Sequence, residues 1–195
     1  RALTMAFISR PRALGARSIL ANPMGADVRE QINLKVKRRE PFRPFAPSVL
    51  AAEAAAHFDL DHPSPFMLET CSVRSPLALP AITHVDGSAR PQTVQPEQSP
   101  RFAALLTRFF QQTGCPLLLN TSFNVKDDPI VCSPVDALLC FGKSGLDALV
   151  LEDCLIDRAM IPANWSTLCQ QWAATPPFAF KTAKSILHDT LYTFV

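Results

Sequence analysis

A mixed α/β (α+β) domain, a twisted mixed sheet flanked by helices, is the fold class this sequence predicts. Three observations predict it. Residues 101–113 carry Phe102, Leu105, Leu106, Phe109 and Phe110 at helical spacing, and Gly114 follows as a stop. Two short apolar runs, Pro116 to Leu119 and Leu146 to Leu151, read as buried strands. Between them Ser133, Pro134 and Asp136 spell a helix N-cap, first-turn proline and acidic third position.

The elements follow in chain order. Asp27 is expected to cap a helix with Val28, Ile32 and Val36 on one face. Val49-Leu50 and Phe66-Met67-Leu68 read as short strands, with a short helix over Ala51 to Phe58 between them. The 18 prolines cluster at Pro41 to Pro47, Pro63 to Pro65 and Pro76 to Pro100, and predict edge strands and ordered loops there. After the 101–113 helix and the first buried strand comes a polar loop, Asn120 to Asp128, then a short strand at Ile130-Val131. The capped helix runs through Phe141. From about Asn164 a tail with two tryptophans shows only weak patterning.

Composition bounds the function classes. With 195 residues, 48% hydrophobic and 18% charged, the chain is expected to fold as one soluble domain with a tail. A formal charge of +2 gives no global field for nucleic acid. No apolar run approaches the ~18 residues of a membrane span. The start lacks a signal-peptide pattern and is not Met, so the chain reads as trimmed or partial. Six scattered cysteines without a C-x-x-C pair are expected to be buried thiols in a cytoplasmic protein. Neither a phosphate-cradling P-loop, a dinucleotide fingerprint, a nucleophile elbow nor a metal-ligand cluster is present.

Four segments can carry chemistry. Lys35, Lys37, Arg38, Arg39 and Arg43 put five cations within nine positions. Arg43 stands among Phe42, Pro44 and Phe45, which suits phosphate recognition by a restrained guanidinium; a solvated basic face or a non-specific nucleic-acid patch is the plainer reading. Asn120, Thr121, Ser122 and Asn124 follow a buried strand and offer amides and hydroxyls to a carboxylate, carbamate or phosphate; alone they also fit an ordinary polar turn. Thr83 to Arg90 contains an Asp-Gly turn that delivers Arg90 beside a loop as a second phosphate contact, while His84 reads as structural. Arg12 and Arg17 flank Gly15, which permits close backbone approach, or the segment is a surface turn.

Taken in order, these segments resemble one family. The segments are Pro-Arg-Ala-Leu-Gly-Ala-Arg-Ser-Ile-Leu at 11–20, Arg-Glu-Pro-Phe-Arg-Pro-Phe-Ala-Pro-Ser-Val at 39–49 with Lys37, Pro-Ala-Ile-Thr-His-Val-Asp-Gly-Ser-Ala-Arg at 80–90, Leu-Leu-Asn-Thr-Ser-Phe-Asn at 118–124 and Pro-Ile-Val-Cys-Ser-Pro-Val-Asp-Ala at 129–137. The chain resembles, over about residues 11–155, the C-terminal domain of the NodU and cephamycin or tobramycin O-carbamoyltransferases. The resemblance implies a YrdC-like fold that takes carbamoyl phosphate and ATP, with Mg²⁺, and makes carbamoyladenylate. The partner it implies is an N-terminal domain of the actin-like superfamily, which holds a metal and the hydroxyl acceptor; no metal site is implied here. By the same resemblance Lys37, Arg43, Arg90 and Ser122 are the catalytic positions. Arg12, Asn120, Thr121 and Asn124 are the substrate- and nucleotide-binding ones.

The sequence departs from the family pattern at Ser9-Arg10, at Pro91 and at Lys126-Asp127-Asp128. The division expected is a linker or displaced segment at 1–10, the domain at 11–160 and a docking tail at 161–195. A non-catalytic nucleotide- or RNA-binding YrdC-like module, or an inactive remnant, is the alternative.

Overall fold

The computed structural model describes residues 5–8, 13–126, 128–165, 167–168 and 171. The described residues form nine strands: β1 (Met5–Ile8), β2 (Arg17–Ala21), β3 (Ala46–Leu50), β4 (Cys71–Ser72), β5 (Ser88–Ala89), β6 (Gln92–Val94), β7 (Leu117–Ser122), β8 (Ala148–Leu151) and β9 (Cys154–Asp157). Seven make one sheet in the order β6-β3-β7-β2-β1-β8-β9, and β4 with β5 forms a separate ribbon. β3 with β6 and β1 with β8 run parallel, and the remaining neighbours in the large sheet are antiparallel. The mixed α/β expectation holds.

Helices cover the sheet, and a single turn, α1 (Ala13–Ala16), leads into β2. α4 (Pro100–Thr113) places Phe102, Ala103 and Leu106 against Leu20, Val94 and Leu118. The main core gathers Val28, Ile32 and Val36 with Ala137, Cys140 and Phe141 over Ile19, Ala21, Leu117 and Leu119. β7 therefore splits its leucines by the two-residue period of a strand, Leu118 into one cluster and Leu117 and Leu119 into the other. A central strand buried on both faces needs such an unbroken apolar run.

Local chemistry explains the helix limits. α4 starts at Pro100 and stops at Gly114, whose φ of 71° only glycine adopts without strain. α5 (Pro134–Lys143) opens with a full capping box: Asp136 N–H donates to Ser133 Oγ, and Ser133 N–H donates to the Asp136 carboxylate. α3 (Ala54–His57) follows a 3₁₀ turn at Ala51–Glu53, close to the expected helix.

Other expectations need correction. Asp27 precedes α2 (Val28–Gln31) but does not cap it; its carboxylate accepts instead from Gln31 Nε2. α2 then widens into a π-helical turn, Ile32–Lys37, that ends at Arg38 with φ 45°. Phe66 and Leu68 are exposed in a turn around Met67, φ 57°, so no strand forms there. Ile130-Val131 is also not a strand, although Val131 N–H bonds to Phe123 O. The Pro41–Pro47 stretch leads into β3, which lies inside the sheet rather than at its edge; Pro47 is accommodated because the β6 ladder begins only at Ser48. Met5–Ile8, within the segment expected as a linker, form β1 between β2 and β8. The five described cysteines are free thiols, but Cys132 and Cys154 are exposed rather than buried. No helix among the described residues is long and apolar enough to cross a membrane.

Candidate functional site

Strand direction decides where the candidate residues meet. β7 is antiparallel to both β2 and β3, so its carboxyl end at Ser122 faces the beginnings of those strands, Ser18 and Ala46. β6 is parallel to β3, so its beginning lies at the same end, just after Arg90. One end of the sheet thus receives the Asn120–Asn124 loop, the basic segment before β3, the turn before β2 and Arg90.

At that end Lys37 is spent on the loop. Its Nζ donates to Ser122 O at 2.6 Å, Ser122 Oγ at 3.1 Å, Asn124 O at 3.2 Å and Asn124 Oδ1 at 2.7 Å. Ser122 Oγ also donates to Asn124 Oδ1 at 2.8 Å, and Asn124 Nδ2 donates to Asp128 O. Phe123 and Val125 alternate inward as buried anchors. The π-helical turn carries Lys37 to this position at 8% exposure. Burial first, and then the charge of Arg39, bring its ammonium down from 10.5 to about 8.

The basic segment is held by a residue that the sequence did not single out. Asn33, fully buried on the π-helical turn, donates to Pro41 O and Arg43 O and accepts from Arg39 Nε at 2.7 Å. Arg39 also stacks over Phe45 at 4.8 Å. The restrained guanidinium is therefore Arg39, not Arg43. The Arg43 side chain is 55% exposed, with Glu40 at 3.7 Å, while its backbone is pinned. A cavity of about 360 Å³ beside it is lined by Pro44, Phe45, Ile82, His84, Ser88 and Arg90 among others. Arg90 is exposed there, and His84 pairs with Asp86 at 3.1 Å across the Asp-Gly turn.

The family model described as the carbamoyltransferase C-terminus matches residues 8–158. The chain belongs to this carbamoyltransferase C-terminal family. The nodulation protein NolO of Bradyrhizobium diazoefficiens is 44% identical, over 87% of this chain and 31% of its own length. A 3'-hydroxymethylcephem-O-carbamoyltransferase of Amycolatopsis lactamdurans is 39% identical, over 76% and 28%. An uncharacterized protein of Synechocystis is 47% identical, over 78% and 28%. The chain thus spans about a quarter to a third of the length of these relatives.

Within this carbamoyltransferase C-terminal domain, the structure joins Lys37, Ser122 and Asn124 directly and places Arg43 and Arg90 at the same end. Asn120 turns elsewhere. Its Nδ2 donates to Ser48 Oγ at 2.8 Å and Gln92 Oε1 at 3.0 Å inside the sheet, and its Oδ1 is buried without a partner among the described residues. Gln92 Nε2 continues this network to Leu14 O, so Asn120 braces the turn before β2. Thr121 is half-buried opposite Ile19. Arg12 lies outside the described residues. Gly15 does permit a close approach, but by this protein's own Phe102: an added Cβ would lie 2.3 Å from the ring. Asn33 escaped notice because a buried asparagine on an apolar helix face has no periodic signature, and Arg39 because nothing in a basic run says which cation is pinned.

Proposed function

We propose that this domain forms carbamoyladenylate from carbamoyl phosphate and ATP, for transfer to a hydroxyl acceptor on a separate N-terminal domain of the actin-like superfamily. The observation that carries this reading is the Lys37–Ser122–Asn124 cluster, set at the sheet end that also receives Arg43 and Arg90. Cations, hydroxyls and amides fit an anionic substrate that brings its own counter-ion. Mg²⁺ accompanies ATP, bound by phosphate oxygens and water, and neutralises phosphate charge.

The atoms balance in two steps. Water first releases phosphate from carbamoyl phosphate; an oxygen of the resulting carbamate then attacks the α-phosphorus of ATP, and pyrophosphate leaves. Negative charge builds on phosphate oxygens in the second step. Preorganised donors lower such a barrier because they need no reorganisation as the charge appears. Lys37 holds Ser122 and Asn124 in place, Ser122 Oγ is the hydroxyl that accepts from the buried cation, and Arg90 and Arg43, the latter in an exposed pair with Glu40, are solvent-facing cations that can close on phosphates.

The test is titration calorimetry with ATP–Mg²⁺, with and without carbamoyl phosphate, followed by mass detection of carbamoyladenylate. Ser122→Ala and Arg43→Ala should each lower product formation by about 10²- to 10³-fold. Wild-type rates in both variants would remove these residues from the site. The absence of any carbamoyladenylate from an active wild-type preparation of the whole enzyme would remove the reaction.

A further inference from the structure

Arg17 opens β2 beside Ser122. Phe123 N–H donates to Arg17 O at 2.9 Å, and the next residue, Ser18, pairs with Ser122. The Arg17 side chain is half-buried. Its Nη1 donates to Val131 O at 3.1 Å and to Cys132 Sγ at 3.4 Å. Its Nε is buried and meets no acceptor among the described residues. No described carboxylate forms an ion pair with it.

Arg158 shows what a structural arginine looks like in this fold. Its guanidinium gives three hydrogen bonds to the carbonyls of Leu146, Phe141 and Ser144 and stacks 4.1 Å over the Phe141 ring. Arg17 has no such complement. A desolvated donor left without an acceptor is unfavourable, and native structures keep few of them without a functional reason.

We propose that Arg17 is a further binding residue for a phosphoryl group held beside the Ser122–Asn124 loop. The proposal rests on the carbamoyladenylate reading above. The bonds from Nη1 to Val131 and Cys132 fix the orientation of the planar fork, and its remaining donors match the oxygens of a phosphate. That phosphate belongs either to carbamoyl phosphate or to ATP, and the two are separable by experiment.

The full chain, as wild type, R17Q, R17K and S122A, is titrated separately with carbamoyl phosphate and with ATP–Mg²⁺, and each protein is melted without ligand. R17Q should weaken one ligand by about 10- to 100-fold, with R17K restoring part of the loss; the ligand affected names the phosphate. Wild-type affinity of R17Q for both ligands, with or without a lower melting temperature, overturns the proposal and leaves Arg17 a tie for the Val131–Cys132 segment. Should R17Q not fold, R17K decides: weaker binding at an unchanged melting temperature supports the role, and unchanged binding overturns it. Loss of binding in S122A but not in R17Q sinks Arg17 alone. A wild type that binds neither ligand sinks the parent reading and this one with it.

Discussion

Lys37 is a buried ammonium whose neighbours are oxygens of its own chain. Below about pH 8 the folded and unfolded chains both carry its proton, and burying that charge costs roughly 3 kcal/mol. Between about pH 8 and 10.5 the unfolded chain holds the proton and the folded chain releases it, so the cost is relieved and stability rises with pH. Measured against Lys37→Met by chemical denaturation, the wild type should gain stability from about pH 7.5 to 10. A flat or falling difference would show that the side chain stays charged in the fold. Order and motif located Lys37, Ser122 and Asn124 in the sequence, but not what each touches. Asn120 shows why: a strand residue faces one side or the other by register, and register is set by partners far away in sequence. Buried Asn120 reaches Ser48 and Gln92, neither of which any local pattern links to it.

At the level of elements, the legible ones are those whose signals are local. α4 carries its periodicity and its Gly114 stop within one stretch, and α5 its capping box. Ser133→Ala should cost about 1 kcal/mol in unfolding free energy, read by urea denaturation. The turn before β2 is different, because its shape answers to α4. Gly15 holds φ 93° against the Phe102 ring, so Gly15→Ala suffers both backbone strain and a clash. The loss should be on the order of 2–3 kcal/mol. In Gly15→Ala/Phe102→Ala the two effects should combine to less than their sum, because the clash is gone; strict additivity would show that the ring and the turn do not meet. The π-helical turn was not legible either. Nothing in the Ile32 to Lys37 run marks a widened turn; Asn33, bonded to a loop up to ten residues on, is the restraint that accompanies it.

For the whole molecule, the sheet order joins distant parts of the chain. β1 sits between β2 and β8, so it connects the four strands on one side to the two on the other. Removing residues 1–8 should open the sheet at its middle. Unfolding should then lose its single cooperative transition, and light scattering should report association through the bare edges of β2 and β8. A truncated chain that melts as sharply as the parent would show that β2 and β8 can close without it. The mixed fold class was readable because alternating helix and strand signals leave few layer arrangements. The strand order was not, since every strand but β9 owes at least one neighbour to a remote segment.

β7 pairs with both β2 and β3, yet it follows them by roughly 70 to 100 residues. During synthesis, β2 and β3 therefore emerge with nothing between them. At ribosomal speeds they wait roughly 4–20 s for Leu117–Ser122, and only then can the strand that carries Ser122 knit them together. The residue proposed for chemistry thus sits at the end of the last-arriving central strand. The nascent chain has no candidate site until β7 is made, and a product stalled before it would present to chaperones the open edges of β2 and β3, each paired on its other side only.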